Sequence, residues 1–275
     1  MTTPRKAMDA VALHRRASDM EGLMNIAGHE ALQAFTTRNL GGEVKPDGTL
    51  VTEADRHVES VMREWLAQHY SQDGVVGEEG EDKSSQSGWT WVLDPIDGTA
   101  SFSHGVPLWG TLVALRYGST PVAGGCHLPC INLSAYGTAT EATLLEGGVR
   151  RVISCNPSTV TLNESTLVTT GWDYFRMAGV ENAYSDLARR AARTKGWSDC
   201  YGLWLLLAGR VDVVVEPLMH PWDIEWIFPI VKAAGLKLTD WSGQDAMSPH
   251  QCIVTHGGDL HEEVVSVLLP HATRN

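Results

Sequence analysis

Trp91-Val92-Leu93-Asp94-Pro95-Ile96-Asp97-Gly98-Thr99 is the stretch on which the reading of this chain turns. An apolar run of strand character leads into Asp94, and Pro95, which has no N–H to donate, is expected to stop the ladder there. Asp97 follows three residues after Asp94, and Gly98-Thr99 closes the turn. Two carboxylates at a strand end, with a free backbone carbonyl between them, suit a hard, oxygen-seeking cation such as Mg²⁺. Alone, the stretch also reads as an ordinary turn, since Asp, Pro and Gly are the commonest turn residues. A turn leading towards a helix presents backbone N–H groups to anions, which makes Gly98, Thr99 and Ala100 the candidate phosphate cradle.

Two further acidic positions shift the balance. Gly77-Glu78-Glu79-Gly80 ends a second short apolar strand, and Trp222-Asp223 opens a helix whose first turn has no compensating Lys or Arg. Separately, Glu78 is a solvated loop acid and Asp223 an N-cap. Together with Asp94 and Asp97, they are poorly explained by independent turns and caps. Upstream, Thr52-x-x-Asp55 has capping-box form with Asp in place of Glu, and Ala54, Val58, Val61, Met62, Trp65 and Leu66 then fall on one helical face. Asp55 therefore lies in the first turn, near the positive end of the helix dipole.

Working outward, residues 8–35 read as helix with one or two breaks. Strand-like runs follow at 74–77, 89–93, 110–117 and 121–126. From residue 162 the pattern alternates: strand 166–170, helix 182–193, strand 211–215, helix 223–234, strand 236–240 and helix 260–269. Such alternation predicts a mixed α/β (α+β) fold of helices layered on sheets. Gly147, Gly148, Asn156 and Pro157 punctuate a boundary. It divides the chain into a helical and antiparallel-sheet half, 1–155, carrying most metal ligands, and an α/β half, 156–275, carrying Asp223 and the substrate-selecting residues. Trp226 shares a helix face with Ile230 and is expected in the core or an interface.

A chain of 275 residues has ample length for a core. No run of eighteen apolar residues and no signal-peptide block occurs, so a cytoplasmic protein is expected. The formal charge of −12 argues against non-specific binding to nucleic acid or anionic membrane. An acidic protein that handles phosphate needs cations to mediate. Five cysteines without a CxxC pair argue against a disulfide framework. Cys126-His127-x-x-Cys130 offers three candidate zinc ligands and no fourth, so these are read as reduced, partly buried thiols.

Gly77-Glu78-Glu79, Asp94-Pro-Ile-Asp-Gly-Thr99 and Trp222-Asp223 followed by Ala233-Ala234-Gly235 resemble, in order and separation, the three signatures of the inositol monophosphatase family. Lys45-Pro-Asp47-Gly-Thr49-Leu-Val-Thr52-Glu-Ala-Asp55 resembles the segment before that family's first conserved helix. The resemblance implies a sugar-phosphatase fold layered helix–sheet–helix–sheet–helix, a homodimer, dependence on two or three Mg²⁺ and inhibition by Li⁺. Carried over by residue, Glu78, Asp94 and the Ile96 carbonyl bind one metal, and Asp94, Asp97 and Asp223 the second. Asp55 and Thr99 orient the attacking water, beside a third, weaker metal on Glu78 or Glu79. Ser101 departs from a frequent Asn, His104 is expected to be hydrogen-bonded rather than a ligand, and residues 137–153 lack the Gly-rich hairpin with Asn-Gly common in relatives.

The chemistry fits these residue types, because hydrolysis of a phosphate monoester dianion is dominated by charge neutralisation and positioning. No cysteine or serine nucleophile is needed. Asp199, upstream of Asp223, makes the chain similar to the histidinol-phosphate phosphatase branch. A substrate bearing a protonated amine would meet Asp199 and Glu216 there, with Lys45 as a third substrate-binding residue. The expected partner is a small phosphate monoester, histidinol phosphate first. Inositol monophosphate or a broad range of sugar phosphates comes next, a nucleotide 3′-phosphate after that, and a catalytically silent binding protein stands outside the class.

Overall fold

A computed structural model describes residues 8–37, 40–45, 50–197, 199–245 and 250–272. Asp47, Thr49 and Ser198 lie outside the described residues. α1 (Ala10–Thr36) starts where Asp9 Oδ1 accepts from Val11 N at 2.9 Å, and Met20, Leu23, Met24, Ala27 and Ala31 form its buried stripe. The breaks expected in it are absent. Gly28 lies within the helix, and its missing side chain leaves room for the His127 ring: a Cβ there would stand 2.5 Å from Cδ2. β1 (Gly42–Val44) and β2 (Leu50–Thr52) pair antiparallel, and α2 (Glu53–His69) follows, with the Thr52–Asp55 capping box complete in both directions.

The first sheet has seven strands in sequence order: β3 (Gly74–Gly77), β4 (Trp89–Asp97), β5 (Gly110–Tyr117), β6 (Thr120–Leu128), β7 (Leu133–Thr138), β8 (Ala142–Glu146) and β9 (Val149–Val152). β3 and β4 are parallel and every later pair is antiparallel. Pro95 does not end β4 as its missing N–H predicts. β3 pairs no further than Leu93, and the register against β5 shifts between Asp94 and Asp97, so the proline occupies an irregularity where no ladder donor is called for. Residues 137–153 do contain a hairpin, joining β8 to β9 through Gly147 and Gly148 at φ 57° and 82°, values that favour glycine.

After α3 (Thr99–Ser103), β10 (Thr166–Val168), α4 (Trp172–Met177), α5 (Glu181–Arg190), β11 (Arg193–Lys195), α6 (Cys200–Leu207) and β12 (Val213–Glu216) occur in turn. α7 (Pro221–Ile224), α8 (Ile227–Ala234), β13 (Lys237–Thr239), β14 (Cys252–Thr255) and α9 (Asp259–Leu268) complete the set. The second sheet runs β11-β10-β12-β14-β13, parallel through its first three strands and antiparallel at β14. α5 stops at Arg190, and Arg193, expected to end that helix, instead begins β11. The single helix expected over 223–234 is two, because Pro229 can neither donate to the Glu225 carbonyl nor pack its ring against it.

Alternation along the strands separates three cores. Trp91, Leu93 and Val113 face α1 and α2 through Met24 and Val58. Val92, Leu112 and Leu144 face the opposite way, onto Trp204 and Leu206 of α6 and Ile227 and Ile230 of α8, whose far side meets Val214 and Val254. Val213, Val215 and Ile253 then cover Leu187 of α5 and Leu260 of α9. The result is the helix–sheet–helix–sheet–helix order expected from the sequence, with Trp226 fully buried in the middle layer. Among the described residues no helix is long and apolar enough to cross a membrane.

Candidate active site

β4 delivers two carboxylates where its pairing slips: Asp94 lies opposite Leu112 and Asp97 opposite Gly110, three residues against two. Gly98 then turns the chain at φ 82°, and a Cβ there would stand 3.1 Å from Asp199 Oδ2 and 3.2 Å from the Leu108 carbonyl. Asp223 arrives from the second half on α7, where it is the third helical residue and not the N-cap; its Oδ2 turns back to accept from His220 N at 2.7 Å. One carboxylate oxygen from each of Asp94, Asp97 and Asp223 lies within 4.8 Å of the others. Asp94 Oδ1 is buried without a hydrogen-bond partner, a costly state for a carboxylate oxygen.

Glu78 sits beside this cluster because Glu78 N donates to the Leu93 carbonyl at 3.3 Å. Lys45 Nζ bridges it to its neighbour, 2.7 Å from Glu78 Oε1 and 2.6 Å from Glu79 Oε1. Behind the cluster, fully buried Asp55 accepts from Thr52 N at 2.8 Å and from the Thr52 hydroxyl through Oδ2. Its Oδ1 is 3.2 Å from Thr99 Oγ1, which also lies 3.1 Å from the Ile96 carbonyl. Thus the hydroxyl, the carboxylate and the carbonyl assigned by resemblance are brought together.

The far wall comes from the second half. Asp199 takes φ 58°, a strained value for a residue with a side chain, and the next amide, Cys200 N, donates to Asp97 Oδ2 at 2.5 Å across the halves. Glu216, 2% exposed at the end of β12, accepts from Thr170 N at 3.0 Å and from Thr170 Oγ1 at 2.7 Å. These walls enclose a cleft of about 330 Å³. Every residue singled out from the sequence for metal, phosphate or substrate lines it apart from Glu79, which is bonded to Lys45, and the water-orienting Asp55, which lies behind Thr99. Lys45 lines it from the Glu78 side, on the carboxylates.

The electrostatics follow from crowding like charges away from water. Burial raises Asp94 well above the usual carboxylate range, and Glu78, Asp97 and Asp223 push it further. Burial does the same for Asp97, with Asp199 and Asp223 adding to it, and for Asp223, with Glu78 adding to it. Glu78 is pushed up to about 7 and Asp199 to about 6, again chiefly by burial. Burial alone would lower Lys45, but its bonds to Glu78 and Glu79 hold its ammonium charged. A donor set of this kind calls for hard cations.

Sequence reasoning missed several lining residues: Thr170, Asp173 and Tyr174 around α4, and His220, whose ring stacks on Trp222 at 5.0 Å and 12°. α4 is six residues long and gives no readable period. Burial and the surrounding acids Asp199, Asp223 and Asp97 keep the Tyr174 hydroxyl protonated. His104 lies outside the cleft lining, with Nδ1 2.8 Å from the Ala100 carbonyl. Cys126 and His127 are consecutive in β6 and so face opposite sides, and they form no metal cluster among the described residues.

The sequence model of the inositol monophosphatase family matches residues 15–271. The chain is 34% identical over 243 residues to a histidinol-phosphatase of Chlorobaculum parvum, covering 88% of this chain and 92% of that protein. It is 32% identical over 238 residues to a histidinol-phosphatase of Mycobacterium tuberculosis, covering 85% and 90%. A solved inositol monophosphatase from Zymomonas mobilis superposes with a TM-score of 0.78 at 29% identity, over 95% of this chain and all of that one.

Proposed function

The chain belongs to the inositol monophosphatase family, whose members are phosphoric monoester hydrolases, and from that premise we propose that it is a Mg²⁺-dependent phosphatase of histidinol phosphate. The observation that carries the metal part is Asp94 Oδ1, buried and unpartnered beside one oxygen each of Asp97 and Asp223. Those donors fit Mg²⁺: all are hard oxygens, and their mutual repulsion is relieved only by added positive charge. Glu78, Asp94 and the Ile96 carbonyl would hold one ion, and Asp94, Asp97 and Asp223 another. Bound there, the ions supply positive charge to the phosphoryl oxygens and acidify water for in-line attack.

The chain's own groups do the positioning. The Thr99 hydroxyl points its proton at Asp55 Oδ1 or the Ile96 carbonyl, which leaves its lone pairs to accept from a water. As that water attacks phosphorus and the bond from phosphorus to the ester oxygen breaks, Thr99 Oγ1 takes the water's proton and passes its own to Asp55 Oδ1, whose affinity for protons burial raises, while the departing alkoxide takes a proton from a second water and leaves as the alcohol. The amides of Gly98, Thr99 and Ala100 receive the phosphate. Across the cleft, Asp173, Asp199 and Glu216 form an acidic wall, and Lys45 is the one Lys or Arg among the described lining residues. A substrate that carries its own cation beside the phosphate complements that wall. The resemblance also brings a homodimer and a cytoplasmic setting into this reading; sedimentation measures the first.

Inositol 1-phosphate is the second reading, supported by the likeness to the Zymomonas mobilis enzyme. Phosphate release from histidinol phosphate, inositol 1-phosphate and fructose 1,6-bisphosphate, with and without Mg²⁺, tests both. Highest kcat/KM on histidinol phosphate is the expected result. No release from any of them with Mg²⁺ would leave a silent binding protein.

A further inference from the structure

α2 carries two buried carboxylates one turn apart, Asp55 and Glu59, 0% and 2% exposed, and the mechanism above uses only Asp55. Glu59 takes two consecutive main-chain amides of the turn after β3: Oε2 accepts from Glu79 N at 2.8 Å and Oε1 from Gly80 N at 2.9 Å. Arg63, one turn further along, donates Nε to the same Oε1 at 2.7 Å and reaches the carbonyls of Glu81 at 2.9 Å and Gly80 at 3.2 Å. The fit is close. A Cβ on Gly77 would lie 2.4 Å from Glu59 Oε1, and one on Gly80 2.8 Å from it. Neither glycine has positive φ, so it is the Glu59 carboxylate together with the Arg63 guanidinium bonded to it, and not the backbone conformation, that excludes a side chain at both positions. Glu78 lies between those two glycines.

We infer that Glu59 is a positioning residue for metal binding, acting through the Glu79 and Gly80 amides to hold Glu78 at a fixed place against Asp55 and Asp94. The inference rests on the assignment of Glu78 as a metal ligand. Charge-assisted bonds to a carboxylate are about twice as strong as neutral ones, so three of them on one buried group fix a turn that would otherwise be a surface loop. Both the water-orienting acid and the anchor of the Glu78 turn then stand on a single rigid helix. Loss of such a supporting partner weakens metal binding by about 10–100-fold.

The test is a calorimetric titration of Mg²⁺ into chelator-treated protein, with metal-free Tm recorded for each sample, on wild type, Glu78→Gln, Glu59→Gln and Gly80→Ala. Glu78→Gln is expected to lose one bound ion. Glu59→Gln retains the ion count but binds about 10–100-fold more weakly, because an amide can accept from one of the two N–H groups and clashes with the other. Gly80→Ala, which keeps every charge and crowds Glu59 Oε1 and the Arg63 guanidinium bonded to it, weakens binding in the same direction. Wild-type affinity in Glu59→Gln with a lowered Tm would make Glu59 an ordinary stabilising ion pair and overturn the inference. Should Glu59→Gln not fold, wild-type affinity in Gly80→Ala overturns it equally. If Glu78→Gln also binds as wild type does, the failure belongs to the metal assignment instead.

Discussion

Replacing Asp199 with Asn removes a charge from the acidic wall while keeping its shape, and Asn tolerates the φ of 58° held there better than Ala does. Two unit charges 4 Å apart interact by about 4 kcal/mol at an effective dielectric constant near 20. Asp199 is only half-buried, and Asp173 and Glu216 remain to face a substrate cation. About half that figure is therefore expected, about 2 kcal/mol, at the low end of the range for truncating one partner of a buried charge pair. That corresponds to roughly a 30-fold loss in kcat/KM. The assay is phosphate release from histidinol phosphate and from an alkyl phosphate without a cation, in wild type and Asp199→Asn. The ratio of the two kcat/KM values cancels any disturbance of Asp97, the carboxylate that Asp199 repels. An unchanged ratio would refute a cation-reading role and favour an inositol or sugar phosphate.

Asp94→Asn is expected to lower turnover by several orders of magnitude while raising the Tm of metal-free protein, since a neutral side chain relieves the burial of a repelled carboxylate. More than a tenth of wild-type turnover at saturating Mg²⁺ would remove Asp94 from the centre of the mechanism. Thr99→Ala and Asp55→Asn should each reduce kcat more than they raise KM, because orienting a water matters in the transition state; a lower Tm with unchanged kcat would make Asp55 a cap alone. His261, between Thr239 Oγ1 at 2.9 Å and Thr255 Oγ1 at 3.0 Å, is pushed down from 6.5 to about 4 by burial first and Lys237 second. It folds neutral, so its contribution is complete above the unfolded value and is lost as pH falls towards 4, by about 2 kcal/mol at pH 5. The urea-unfolding gap between wild type and His261→Gln should narrow by that amount between pH 7.5 and 5.

The carboxylates of the candidate site were legible because each ends or begins an element with a strong local signal: the apolar run before Asp94, the strand before Glu78, the capping box at Asp55. The layering was legible from the switch to strand–helix alternation after residue 162. Features set by distant partners were not. β9, Val-Arg-Arg-Val, is exposed throughout and has no period to read. α6 buries seven of its eight residues, so it has no polar face to mark it as a helix. Glu59 looks like any polar helix position until the turn at Glu79 and Gly80, twenty residues on, closes over it. Asp173 and Tyr174 reach the cleft only through folding of the second sheet.

The spacing of Asp55 and Glu59 along α2 bears on how such a chain can vary by descent. One inserted residue between them would turn Glu59 through about 100° and shift it about 1.5 Å along the axis, off the turn it anchors. Both of its bonds from the Glu79 and Gly80 amides would go at once. The Gly147-Gly148 turn is the opposite case: nothing lies within 4 Å of where its side chains would be. Length is therefore free to drift at the hairpin tip and is frozen inside four residues of one helix, although both positions are equally silent in composition.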